Sequence, residues 1–368
     1  MTKSLYIAAT NQHVGKTTTT LGILAALAQR GLNVGYCKPV GQQHLVRNGG
    51  KIDKDCILFA ETLGFEIEPD IHSPVIMDNG YTSKFIDNPE KDYLYNRINH
   101  AVDTLNERHD IVIHEGTGHP GVGSIVELSN ADVAKNLNTG VIIVVKGGIG
   151  NTYDRLTLCK SVFQQRGVPI LGVIVNKIYP EKIDKIKHYL GKRFEAAGIE
   201  VFGYIPYNKE LAHPLISTVN KAVKGEIKYY SEFKNNLAQG VIAGSLIDLE
   251  DLDTSKKYLL VVSARRLLES LEKLNHIFWD VHQIKPNLAG LVLTGIFNIP
   301  ERALKFIHKH KIPTIHTKYD TYETIIRISR IEVKLNMQAP NKIAEARKMV
   351  EQYVDIDRIC EVIGLETV

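Results

Sequence analysis

Residues Ala9–Thr20 read "ATNQHVGKTTTT", and the run Gly15-Lys16-Thr17 inside them has the form of the end of a phosphate-binding loop. It follows an apolar run, "SLYIAA", and opens a helix-forming one, "KTTTTLGILAALAQRG", so the loop joins a strand to a helix. In that context the backbone N–H groups of His13, Val14, Gly15, Lys16, Thr17 and Thr18 surround a phosphate, and Lys16 adds a mobile positive charge. Thr17 offers its hydroxyl to Mg2+. The usual spacing of such a loop puts a leading glycine at Thr10, or at Ala9 if the loop is one residue longer, and neither is glycine. The departure matters because glycine takes backbone angles that other residues adopt only with strain; alanine is the smallest substitute.

Moving outward, strand-sized apolar runs alternate with amphipathic stretches: "SLYIAA", "LNVGYCK", "DIVIHE", "GVIIVVK", "ILGVIVN" and "EVFGYIP". This rhythm predicts an α/β fold with a parallel sheet wrapped by helices, and glycine-rich breaks fall where such sheets bind ligands. After "YIPYNKELAHP" the rhythm breaks, and "NKAVKGEIKYYSE" reads as a linker or extended crossover. A second, shorter α/β series follows in "VIAGSLI", "YLLVVSA", "LAGLVLTGIF" and "IPTIHTK", with helices after Arg265, from Pro300 and from Thr321. The expected organisation is a nucleotide-binding domain over residues 1–225, a smaller α/β domain over 226–355, and a tail over 356–368.

Length and composition agree with two globular domains: 368 residues, 44% apolar and 23% charged. No run reaches the roughly 18 apolar residues of a membrane helix. A formal charge of +4 without a basic stripe argues against nucleic acid as the main partner. Cys37, Cys56, Cys159 and Cys360 lack paired spacing, and the N-terminus runs straight into the loop without a signal peptide, so a reduced, cytoplasmic protein is expected.

Phosphoryl chemistry requires an acid to hold the metal, and Glu115 stands at the end of an apolar run in "DIVIHEGTGHPG". The same stretch also reads as a dinucleotide fingerprint, but Pro120 interrupts it and the next strand ends in Lys146 instead of an acid. Asp53 and Asp55 start a predicted helix, where they read equally as caps or as metal ligands. Lys38 precedes Pro39 at a strand end, facing either solvent or a phosphate or carboxylate. Asn176 ends another strand, as a turn residue or as an amide that reads an adenine edge. "VVKGGIGN" is a glycine turn that can shape a pocket. The histidines His308, His310 and His316 read as a solvated helix face rather than a metal cluster, because the first two sit only two residues apart on a helix.

The ordered motifs "ATNQHVGKT", "YCKPVG", "DKD", "IHEGTG", "VVKGGIG", "GVIVNK" and "GYIP" are similar to dethiobiotin synthetase and to the synthetase half of cobyrinic acid a,c-diamide synthase. They resemble still more the dethiobiotin-synthetase-like N-terminal region of long-form phosphate acetyltransferases, across about residues 1–215. The resemblance implies ATP bound at Gly15, Lys16, Thr17 and Thr18, Mg2+ assisted by Glu115 and Asp55, and adenine read by Asn176. It implies that Lys38 serves the substrate and the transferred phosphate, so Lys16 and Lys38 are the catalytic pair. One departure is Asn11, which stands where dethiobiotin synthetase has an aspartate. The second half resembles a DRTGG domain through Thr294-Gly295 and Asp320-Thr321-Tyr322, with Ser263-Ala264-Arg265 in place of Gly-Asp-Arg and Ile296 in place of the second glycine.

Two functions follow as expectations. The first is a nucleotide-responsive regulatory module acting on a partner enzyme; the second is an ATP-dependent ligase that activates the carboxylate or carbamate of a small acid. The resemblance also implies a homodimer. Acetyl transfer is not expected, since little sequence follows residue 355.

Overall fold

The computed structural model describes residues 3–244, 253, 255–276, 287–295, 298–335 and 337–365. The chain packs into two compact units, one formed by residues 1–208 with 335–368 and the other by 209–334. This division differs from the boundaries expected near residues 225 and 355.

The first unit is built on six strands: β1 (Lys3–Ala9), β2 (Val34–Cys37), β3 (Ile111–Glu115), β4 (Gly140–Lys146), β5 (Ile170–Ile178) and β6 (Val201–Pro206). They form one sheet in the order β6-β5-β4-β1-β3-β2, parallel throughout. Their near-continuous Val, Ile and Leu content follows from burial on both faces. One face is covered by the helix Lys91–Arg108, whose Leu94, Ile98, Ala101, Val102 and Leu105 recur at helical spacing and are buried.

The helix α1 (Lys16–Gln29) is buried along its whole middle, from Thr19 to Leu27. Its second covering is the C-terminal helix Pro340–Tyr353, which docks against it where Gly22 leaves room: a Cβ at Gly22 would sit 2.3 Å from Val350 Cβ. Beyond that helix, Val354 bridges Gly203 in antiparallel fashion and the Asp355 N–H donates to the Phe202 carbonyl at 2.7 Å. The returning chain thus caps the open edge of β6, which would otherwise expose unpaired backbone groups. The expected tail contains a helix, Ile356–Ile363, with Ile356, Ile359 and Cys360 buried.

The second unit holds five strands in the order Glu226–Tyr229, Thr314–Thr317, Leu288–Thr294, Tyr258–Ser263, Gly240–Ala243. All pair in parallel except Glu226–Tyr229, which lies antiparallel at the edge. The expected linker is therefore part of a sheet. Preceding residues belong with it: the Ile216 and Ser217 amides donate to Asn236 and Lys234 carbonyls at 3.0 and 2.8 Å. Gly295, at φ +80, donates its N–H to Thr317 and Tyr319 carbonyls, and Thr294 and Thr321 hydroxyls meet at 2.8 Å. Asp320 caps the helix Thr321–Ser329 through the Glu323 N–H at 2.7 Å. Ile296 and the second half of "VIAGSLI" lie outside the described residues. Among the described residues, no helix is long and apolar enough to cross a membrane.

Candidate functional site

The site forms where β1 and β3 end beside the start of α1. After Ala9 the Thr10 N–H donates to the Val144 carbonyl at 3.1 Å, continuing the ladder, and the chain then turns through His13 at φ +60 and Gly15 at φ +97. Neither Ala9 nor Thr10 has a positive φ. The leading position of the loop thus does not require glycine's left-handed backbone, and the replacement carries no strain of that kind.

Gly15 is the N-cap of α1, no side chain caps the helix, and its first turn contains no acid. An uncapped N-terminus of a 14-residue helix presents free amides and the positive end of the helix dipole, which is the setting for an anion.

Lys16 and Thr17 turn to the same carboxylate oxygen. Glu115, fully buried at the end of β3, accepts from Lys16 Nζ at 3.2 Å and from Thr17 Oγ1 at 2.8 Å, both on Oε1. Its Oε2 faces the Tyr36 hydroxyl at 3.4 Å, and Lys16 Nζ also donates to the Gly116 carbonyl. Burial pushes the Lys16 ammonium below its ordinary range, and Glu115 opposes that shift. Thr18 follows in the same first turn, half-buried.

Beside this group, Lys38 lies buried at the end of β2 and donates to Asp53 Oδ1 at 3.1 Å and to Asp55. Asp53 is the N-cap of α2 (Lys54–Leu63): Oδ1 accepts the Asp55 N–H at 2.9 Å, and Oδ2 accepts the Gln42 and Gln43 amides at 3.0 and 3.2 Å. For Asp53, then, the capping role is the one the structure displays. Burial opposes the Lys38 charge, but Asp55, Asp53 and Glu115 outweigh it and hold the ammonium well above its usual range.

Mg2+ takes hard oxygen ligands and keeps several waters or phosphate oxygens. Thr17 Oγ1 and Glu115 Oε1, already adjacent, fit that donor set, while Asp55 is engaged by Lys38. Among the described residues no three His, Cys, Asp or Glu side chains converge on a common point.

Asn176, at the end of β5 and 5% exposed, donates Nδ2 to the Val14 carbonyl at 3.0 Å and accepts the Lys177 N–H on Oδ1 at 2.7 Å. The glycine turn after β4 leads into the helix Gly150–Gln165, whose Thr152 hydroxyl donates to the Lys146 carbonyl at 2.6 Å.

Several contributors were not singled out from sequence. Asn130 shapes the turn after β3: its Oδ1 accepts the Tyr6 hydroxyl at 2.8 Å and the Thr117 N–H at 2.9 Å, and its Nδ2 donates to the Thr117 and His119 carbonyls. The available signal was the capping box formed by Ser129 and Asp132, which marks the helix that carries it. Tyr36 and Lys177 lie inside the motifs "YCKPVG" and "GVIVNK", but nothing local to either residue marks a role for it.

His114 precedes Glu115, is fully buried, and has no hydrogen-bond partner on either ring nitrogen. Burial pushes its imidazole down to about 3. The unfolded chain takes up this proton near pH 6.5 and the folded chain only near 3, so the contribution is intact above about 6.5 and is lost as pH falls toward 3. His114→Leu is expected to remove about 2 kcal/mol of the stability lost between pH 7 and pH 5. Urea melts of both proteins at the two pH values measure this, and identical losses would sink it.

Comparisons with known proteins identify the family of each half of the chain. The family profile AAA_26, an AAA domain, matches residues 3–214, and the DRTGG domain profile matches residues 259–331. Relatives include the phosphate acetyltransferase of Synechocystis sp., 22% identical over 98% of this chain and 51% of its own length. The ATP-dependent dethiobiotin synthetase of Clostridium perfringens is 26% identical over 61% of this chain and 100% of its own. The probable cobyric acid synthase of Methanocaldococcus jannaschii is 25% identical over 69% and 55%. The chain spans about half the length of the phosphate acetyltransferases it matches.

Proposed function

The chain belongs to the AAA domain family that its residues 3–214 match, and from that premise we propose that it binds MgATP at the β1–α1 loop as a nucleotide-responsive regulatory module. The observation that carries this is the convergence of Lys16 and Thr17 on buried Glu115 beside an uncapped helix N-terminus. The loop amides from His13 to Thr18 and the Lys16 ammonium hold the phosphates. Thr17 and Glu115 would hold Mg2+, with Asp55 assisting. Bound Mg2+ would supply charge neutralisation between phosphate oxygens. The remaining amide hydrogen and lone pair of Asn176 read the adenine edge.

A regulatory response requires the nucleotide to favour one arrangement over another. Here two arrangements are defined by chemistry: Lys16 and Thr17 on Glu115, as the structure has them, or Lys16 turned to a phosphate with Thr17 and Glu115 available to a metal. Kinship with the phosphate acetyltransferases supports a role on a partner enzyme of that kind; the homodimer rests on the resemblance to dethiobiotin-synthetase-like nucleotide-binding domains.

One observation favours a second reading. Lys38 is a buried cation held by two aspartates beside the loop, a costly arrangement for a module that only senses. In an ATP-dependent ligase, Lys38 would neutralise a phosphoryl group passing to the carboxylate or carbamate oxygen of a small acid, giving a mixed anhydride. Calorimetric titration with MgATP, paired with ADP release across a panel of small carboxylic acids, separates the two. Tight binding without turnover supports the module, ADP release that rises with one acid supports the ligase, and absence of binding overturns both.

A further inference from the structure

The loop that carries Lys16 is fastened from outside its own sequence. Two consecutive residues at the end of β5 reach two consecutive loop carbonyls: Asn176 Nδ2 donates to Val14 at 3.0 Å, and Lys177 Nζ donates to His13 at 2.6 Å. The Asn176 amide is itself fixed, because its Oδ1 accepts the Lys177 N–H at 2.7 Å while Lys177 takes a left-handed backbone, φ +57. Its main chain is fixed too: Asn176 pairs in register with Lys146, and its carbonyl accepts the Gly147 N–H at 2.7 Å.

The consequence comes from peptide geometry. In a planar trans peptide the carbonyl of one residue and the N–H of the next point in opposite directions. Holding the His13 and Val14 carbonyls against β5 therefore turns the Val14 and Gly15 amides away from it. Those are amides that a phosphate at this helix N-terminus needs. His13 adds a reason for such bracing, since φ +60 is uncommon for a residue other than glycine and persists where its surroundings over-determine it.

We infer that Asn176 and Lys177 are positioning residues for the phosphate loop, holding its amides in the anion-binding orientation before any ligand arrives. The inference rests on the reading of the loop as a triphosphate site and adds to base recognition by Asn176 a role that does not depend on the base.

The test uses the full chain with two probes, MgATP and magnesium tripolyphosphate, the latter having no base to read. In Asn176→Ala and Lys177→Met, affinity for both is expected to fall by a similar factor, about tenfold for each lost hydrogen bond. Hydrogen exchange in the loop of the nucleotide-free variants is expected to rise while β1 and β4 keep their protection, a local change that general destabilisation does not produce. If ATP weakens while tripolyphosphate binding and loop exchange stay as in the wild type, Asn176 reads only the base and the inference is overturned. Unchanged affinity and exchange in both variants overturns it as well, with the site intact. A wild-type chain that binds neither probe removes the triphosphate reading and this inference with it, a result distinguishable from the variant outcomes.

Discussion

Lys16→Ala is expected to abolish MgATP binding while leaving the fold in place. The ammonium is the one side-chain cation in the first turn of α1, and its partners in the structure are Glu115 and the Gly116 carbonyl. Hydrogen bonds to charged groups contribute about 1.5–3 kcal/mol each, so losing the phosphate contacts of one lysine lowers affinity on the order of 100-fold or more. The fold survives because Glu115 keeps the Thr17 hydroxyl at 2.8 Å and Tyr36 at 3.4 Å, and because the Lys16 main chain still accepts from the Thr20 hydroxyl at 3.0 Å. Calorimetric titration reports the loss, and far-ultraviolet circular dichroism reports the fold. Undiminished affinity in the variant rejects the site.

What the sequence made legible was local. Each of the six strands of the first sheet is a short apolar run bounded by a break, and the glycine-lysine-threonine run falls at the first of those breaks. Glu115 and Lys38 were readable because strand ends in a parallel sheet deliver side chains to one edge. The absent leading glycine raises the expectation of backbone strain, yet neither Ala9 nor Thr10 has a positive φ, so the position does not need glycine's left-handed freedom. That fact lies in dihedral angles, which residue identity alone does not reveal.

The remaining misreadings share a cause in long-range packing. Glu226–Tyr229 looks like a linker because a short edge strand needs only one neighbour and alternates exposed Glu226 and Lys228 with half-buried Ile227 and Tyr229. The segment carrying the helices Pro340–Tyr353 and Ile356–Ile363 returns to the first unit through contacts at Gly22 and Phe202, hundreds of positions or more than a hundred away in sequence, which no local periodicity encodes. Lys177 is silent in the sequence for the same reason: its partner, the His13 carbonyl, is 164 residues distant.

Gly15→Ala is expected to remove nucleotide binding and to destabilise the first unit as well, for two separable reasons. The first is conformational: at φ +97 an alanine pays roughly 1–2 kcal/mol for a left-handed backbone. The second is steric, since the new Cβ would lie 2.1 Å from Asn176 Nδ2, well inside any tolerated contact. The Asn176 amide cannot swing aside freely, because it is tied to the Val14 carbonyl and the Lys177 N–H, so relief breaks at least one hydrogen bond at a cost of about 1 kcal/mol. A sum of about 2–4 kcal/mol lowers the melting temperature on the order of 5–15 °C for a unit of this size. Gly31 supplies the control: it has φ +81, follows the end of α1, and an added Cβ there meets nothing within 4 Å. Gly31→Ala therefore carries the conformational cost alone and is expected to bind MgATP as the wild type does. Thermal melts of the two variants that coincide would show that the approach of Asn176 to the loop has no energetic weight.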